Sequence, residues 1–237
     1  MKKVIELKDV WKKYNEGQRN EVIAVKNLDA EIYQGEFVAF MGPSGSGKST
    51  SMNLIGSLDT PSKGAIYLDN QDISKLSESD LAQLRGKKIG FIFQEFNLIK
   101  NLTAKENVTL PMTYQGYSEQ EMDKRGKELL KTVELSDREN HYPSELSGGE
   151  QQRVAVSRSL ANDPEVILAD EPTGNLDSKT GEKVMGFLQK LNKEGKTIII
   201  ITHEEDIALR YAEKIYWIKD GEINKVTKND KKKDKSN

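Results

Sequence analysis

The chain has 237 residues and a formal charge of −2, with 36 Lys plus Arg against 38 Asp plus Glu. That length can bury a core and fits one large α/β domain or two small lobes, and so even a charge balance creates no global field to gather nucleic acid or anionic membrane. There is no Cys, so residue spacing carries no information on disulfides, thiolate zinc sites or redox compartment.

Residues 1–9 are interrupted by charge every few positions, which denies them the apolar run of a secretory signal. Apolar runs elsewhere, such as 37–41 and 198–201, fall far below the ~18 residues of a spanning helix. The expectation is a cytoplasmic chain. The first forty residues, and the stretch 64–70 beyond the turn 61–64, show alternating strand patterns and turn signals, which predict an antiparallel β layer. Short apolar runs at 37–41, 166–169, 196–202 and 215–218 read as buried strands. Between the second and third of these, Val184, Phe187, Leu188 and Leu191 fall at i, i+3, i+4 and i+7, one apolar stripe on a helix. Strand, helix, strand in that order predicts a mostly parallel sheet. From about residue 95 to 161 strand signals fade, and Met122, Leu129, Leu130 and Val133 mark a helical face, so an α-helical subdomain is expected as an insertion in the core. Residues 225–237 hold six Lys and two Asp, a local charge of +4, and read as a basic tail, either solvated or in touch with anionic headgroups.

The sequence GPSGSGKS at 42–49 follows an apolar strand and precedes a helix-like stretch, the context that a phosphate-binding loop requires. Gly42, Gly45 and Gly47 let backbone N–H groups turn inward around phosphate, where side chains would block the approach. Lys48 then reaches the β and γ phosphates and Ser49 offers a hydroxyl to Mg²⁺. About 120 residues later VILADE at 166–171 is an apolar strand ending in two acids, a costly rim unless a metal-bound triphosphate sits there. Asp170 is placed to hold Mg²⁺ and Glu171 to orient and polarise the attacking water. His203 stands at the carboxyl end of the strand 196–202, where ligands of open α/β sheets collect, and is expected to contact the γ phosphate and link it to Glu171.

LSGGE at 146–150 opens a second helix, 151–161, stopped by Asn162, Asp163 and Pro164, with Ser147 as its N-cap. Ser147, Gly148 and Gly149 offer unhindered N–H groups at a helix N-terminus, a second view of a phosphate. One nucleotide does not need two such cradles from one chain, so this helix is expected to face ATP held by another copy.

With these motifs in this order, residues 1–224 resemble the nucleotide-binding subunit of ATP-binding cassette (ABC) transporters, whose fold is a P-loop NTPase core with an antiparallel β subdomain and a helical subdomain. The resemblance implies that Tyr14 stacks on adenine, that Gly42, Ser44, Gly45, Ser46, Gly47, Lys48, Ser49 and Thr50 form the Walker A loop, and that Gln94 is the Q-loop residue, added to Ser49 and Asp170 around Mg²⁺. It also makes Leu146 to Glu150 the signature, Leu176 and Asp177 the D-loop and His203 the switch histidine, with Lys48, Glu171 and His203 catalytic. The signature departs at one position, Glu150, where the family more often has Gln.

RGKKIGFIFQ at 85–94 and LTAKENVTLP at 102–111 are similar to the branch of lipoprotein-release, macrolide-export and antimicrobial-peptide-export ATPases. The resemblance implies an ATP-dependent homodimer on the inner face of the membrane, bound to a permease near Glu95, Phe96 and Leu98, residues that equally suit packing within the helical lobe. No nucleic acid partner is expected. An alternative within the superfamily is an ATPase that drives a non-transport membrane complex, in cell division or sensing. Soluble repair or translation members carry a coiled-coil insertion or tandem cassettes, and a P-loop kinase leaves the Ser-Gly-Gly helix unexplained.

Overall fold

Alternating apolar and polar residues turn the start of the chain into two long strands, β1 (Lys3–Tyr14) and β2 (Val22–Tyr33), which pair antiparallel with Val4, Leu7, Val10, Val25 and Leu28 buried. The structure, a computed structural model, describes residues 2–229, which divide into two compact units, one of residues 2–75 with 197–229 and one of residues 76–196.

In the first unit β4 (Lys63–Leu68) pairs with β1 and β5 (Gln71–Asp72) with β4, which gives the antiparallel order β2-β1-β4-β5 expected from the turn signals. Beside it runs β3 (Phe37–Met41), all five residues buried, with parallel neighbours on both sides. These are β8 (Thr197–Thr202), every residue buried, and β9 (Lys214–Lys219). Strands covered on both faces need continuous apolar sequence, and Phe37–Met41 and Thr197–Thr202 supply it. The Phe40 ring stacks on Tyr216 at 4.9 Å between centroids. Helix α1 (Lys48–Ile55) follows β3, and α7 (Glu205–Tyr211) follows β8.

Strand β10 (Glu222–Lys228) pairs antiparallel with β9, so residues 225–228 of the expected basic tail belong to the sheet. Their lysines lie on an outer strand, where Lys keeps an edge soluble without breaking its ladder. Residues 230–237, the rest of that tail, lie outside the described residues.

The second unit contains α2 (Glu78–Lys88), β6 (Ile89–Ile92), α3 (Ala104–Thr113), α4 (Glu119–Thr132), α5 (Gly148–Ser159), β7 (Val166–Asp170) and α6 (Ser178–Lys193). β6 and β7 pair in parallel. Helices α3, α4 and α5 fall between residues 104 and 159, and α3 and α4 start on side-chain caps, Thr103 with Glu106 and Ser118 with Glu121. Leu129, Leu130 and Val133 of the anticipated face are buried, as are Val184, Leu188 and Leu191 on α6, while Phe187 is half-buried. Helix α5 begins at Gly148, three residues before the sequence boundary, because the Ser147 cap lets both glycines take helical geometry. Among the described residues no helix is long and apolar enough to cross a membrane.

Leu188 is 0% exposed. Leu188→Ala is expected to cost about 2–5 kcal/mol of stability, read from the shift of a urea unfolding midpoint at unchanged slope.

Candidate functional site

Where β3 ends the chain turns so closely against β9 that an added Cβ at Gly42 would lie 2.1 Å from the Ile218 carbonyl oxygen. Gly45 and Gly47 have φ of 76° and 99°, in the left-handed region, and a Cβ on Gly47 would also lie 2.5 Å from the Ala24 carbonyl oxygen. The loop is tied underneath by the Gly221 N–H, which donates to Ser46 O at 2.9 Å. Pro43, Ser44 and Gly45 are exposed at its tip, while Lys48 is buried, its ammonium reaching back to donate to Pro43 O at 2.7 Å.

Gly47 caps α1 with no side-chain hydrogen bond, so the first N–H groups of the helix, which carries Ser49 and Thr50, lack the cap that completes other helices of this chain. The buried Ser46 hydroxyl has no hydrogen-bond partner. Uncapped N–H groups, a lysine folded over the loop and glycines that admit no Cβ are the donor set a polyphosphate needs.

Tyr14, at the end of β1, keeps its ring partly exposed while its hydroxyl donates to Asp59 Oδ2 at 3.0 Å and bonds with the Thr50 side chain. Lys12 lies 5.1 Å over the ring and grips the other oxygen of Asp59 at 2.5 Å. Burial and the Asp59 carboxylate push the Tyr14 phenol above its ordinary pKa, so the ring is a neutral plate with a fixed tilt. Met41 and Thr202 are register partners, so the loop and the exposed His203 leave neighbouring strands at the same end.

In the second unit Ile92 and Ala169 are register partners, so Gln94 and the Asp170–Glu171 pair likewise leave adjacent strands together. Gln94 O accepts from Asn175 Nδ2 at 2.9 Å. A Cβ on Gly174 would lie 3.0 Å from Gln94 Nε2 and 3.4 Å from Glu171 Oε2, so the amide and the carboxylate flank one glycine. Glu171 holds φ at 41°, a left-handed conformation that costs a non-glycine residue on the order of 1 kcal/mol. The turn that holds it is closed by Gly174 N–H donating to Glu171 O at 3.0 Å.

At the start of α5, Ser147 Oγ accepts from the Glu150 N–H at 3.3 Å, and Glu150 Oε2 accepts from the Ser147 N–H and hydroxyl at 2.8 and 2.7 Å. Arg138 Nε donates to Glu150 Oε1 at 3.1 Å. Ser147's hydroxyl and N–H, followed by Arg138, hold the Glu150 carboxyl below the usual carboxylate range. Ser147 and Gly148 are exposed. Gly149 has a different duty: its Cβ would lie 2.4 Å from Thr180 Cγ2 on α6, whose N-cap Asp177 accepts from the Thr180 N–H and hydroxyl at 3.1 and 2.6 Å.

Sequence reasoning missed the long-range partners. Arg158 of α5 donates to Phe96 O at 2.7 Å and to Asn97 O at 2.5 Å, carbonyls of two consecutive residues at φ 37° and 50°. Phe96 is half-buried and its ring faces Gly148, at 3.8 Å from a Cβ placed there; Glu95 is exposed and Leu98 half-buried. Nothing in residue spacing links position 158 to 96, just as nothing links Tyr14 to Asp59.

The chain matches the family model described as ABC transporter over residues 25–174, more than half its length. It is 54% identical over 220 residues to an uncharacterized ABC transporter ATP-binding protein of Methanocaldococcus jannaschii, covering 93% of this chain and 97% of that one. It is 50% identical over 220 residues to the macrolide export ATP-binding/permease protein MacB of Mannheimia succiniciproducens, covering 93% of this chain and 34% of that longer protein. Its fold superposes with a TM-score of 0.87, at 50% identity and over 94% of this chain and 98% of the other, on a dimeric post-hydrolysis state of the ATP-binding cassette MJ0796 bound to ADP and Pi. With the loop, the twin acids and the capped Ser-Gly-Gly helix all formed, the chain belongs to the ABC transporter family, as an ATP-binding and ATP-hydrolysing subunit.

Proposed function

We propose that two copies of this chain pair head to tail around two ATP molecules, each held by loop 42–50 of one copy and by Ser147, Gly148 and Gly149 of the other. The observation that carries this reading is the start of α5, a capped and exposed helix N-terminus additional to the uncapped one at α1. The dimer of MJ0796 with ADP and Pi, a protein 50% identical to this one, supports it.

In that pair Tyr14 offers its ring to the adenine, while Gly42, Ser44, Gly45, Ser46 and Gly47 give the phosphates backbone N–H groups. Lys48 exchanges Pro43 O for the β and γ phosphates, and Thr50 fixes Tyr14. Ser49, Gln94 and Asp170 would hold Mg²⁺, which when bound supplies neutralisation of the phosphate charge. Among the described residues no three His, Asp or Glu side chains form a metal cage, and magnesium characteristically takes one or two carboxylates and completes its shell with phosphate and water. Glu171 orients the attacking water and accepts its proton; His203 holds the γ-phosphate and links it to Glu171. ATP adds contacts that exist only in the closed pair, so nucleotide shifts the open–closed equilibrium and hydrolysis releases it.

We assign residues 1–224 to a single cassette whose helical subdomain spans about 95–161, working at the cytoplasmic face of the membrane through a permease that it powers, in an export system. The 50% identity to a MacB protein, whose name joins ATP-binding and permease functions, supports the export branch.

Two substitutions test the site. Gly47→Ala places a methyl 2.5 Å from Ala24 O at φ 99° and is expected to abolish ATP binding in titration calorimetry. Glu171→Gln is expected to keep ATP binding and lower turnover by about 10²-fold or more in a phosphate-release assay, while sedimentation shows an ATP-dependent dimer. A Glu171→Gln protein that stays monomeric at saturating ATP contradicts the shared site.

A further inference from the structure

The carboxylate at Glu150 accepts from the Ser147 N–H and hydroxyl at 2.8 and 2.7 Å, directly at the helix start that, on the reading above, receives the triphosphate of the other copy. A carboxylate suits the positive end of α5 when no anion is bound, but repels one that arrives. The structure supplies a counter-charge. Arg138, in the short 3₁₀ turn Ser136–Arg138, donates through Nε to Glu150 Oε1 at 3.1 Å, and its Nη1 pairs with Asp137 at 2.6 Å. The oxygens of Glu150 therefore divide: Oε2 completes the cap with Ser147 and Oε1 is turned to the guanidinium. Nothing in the capping box needs Arg138, since Ser147 and Glu150 close it between themselves.

We propose that Arg138 is a positioning residue for the nucleotide-bound pair: its guanidinium, shared with Asp137, offsets part of the charge of Glu150 and thereby eases the approach of a triphosphate held by a second copy to the Ser147–Gly149 start of α5. Its role exists only because position 150 is Glu. The inference rests on the shared-site reading. A glutamine at 150 keeps the cap, because its carbonyl oxygen can accept from Ser147 as the carboxylate does, and removes the charge.

The test uses the Glu171→Gln protein, in which ATP-driven dimerisation is read by sedimentation across an ATP titration. Arg138→Ala is expected to raise the ATP concentration at half-maximal dimer roughly two- to fivefold at low ionic strength, and the deficit should shrink as salt is added. Arg138→Lys should recover most of it. Glu150→Gln should dimerise at the parent's ATP concentration or below, and Arg138→Ala combined with Glu150→Gln should behave as Glu150→Gln alone. Thermal melts of all five proteins separate a folding defect from a charge effect, and Arg138→Lys and Glu150→Gln carry the test where Arg138→Ala melts early. An Arg138→Ala deficit that persists with Gln at 150, or one that salt does not change, overturns the proposal and leaves the shared site standing. A parent protein that never dimerises with ATP overturns the shared site and this proposal with it.

Discussion

Backbone passes within touching distance of backbone at the end of β3, and the first unit's share of the site depends on that crowding. Gly42 abuts Ile218 O, Gly47 abuts Ala24 O, and Gly221, at φ 81°, lies against the same Ala24 carbonyl. Ser46 O and Gly221 O are both engaged, by the Gly221 and Lys26 N–H groups, so the loop, β2 and the β9–β10 turn form one hydrogen-bonded knot. Within the loop the Ser46 N–H turns back to Pro43 O at 3.3 Å. The N–H groups at the start of α1 have no side-chain cap, which leaves that helix end to a ligand.

Legibility in the sequence followed the range of the interactions involved. β3, β7, β8 and β9 were readable because strands buried on both faces must be apolar throughout. β6 escaped because Gly90 interrupts its apolar run, and that glycine is demanded by a contact no local pattern reveals: its Cβ would lie 2.0 Å from Ser159 O. β10 escaped because Lys225 and Lys228 made it look like a solvated tail, when the partners of an edge strand lie in β9. α2 buries little beyond Leu81, so it had no apolar stripe to find.

The site divides in the same way. The phosphate loop, the twin acids and the Ser147 cap are contiguous and carry their chemistry in residue order. Asp59 beneath Tyr14, Arg138 against Glu150 and Thr180 against Gly149 are set by tertiary packing. The two signature glycines show how a motif can conceal separate duties. Read as sequence, they look like a matched pair baring N–H groups. In the fold Gly149 is small because α6 lies on it, whereas Gly148 faces the Phe96 ring with room to spare.

Helix α5 therefore sits at the centre of the second unit's site, and its hold on the turn after Gln94 has a mechanical consequence. Arg158 donates to two successive carbonyls of residues in left-handed conformations, which have no helix or sheet partner to return to. Burial lowers the guanidinium's pKa, yet Arg remains charged at any physiological pH, and hydrogen bonds to a charged group are worth about 1.5–3 kcal/mol each. Moving residues 96–97 away from α5 would lose both bonds and strip Gly148 of its aromatic neighbour. Moving them together with α5 loses neither. The lower-energy path for any force applied to that turn is thus to carry α5, and with it Ser147 and Gly148, as one body. The residue that enforces this, Arg158, touches no part of the nucleotide motifs themselves.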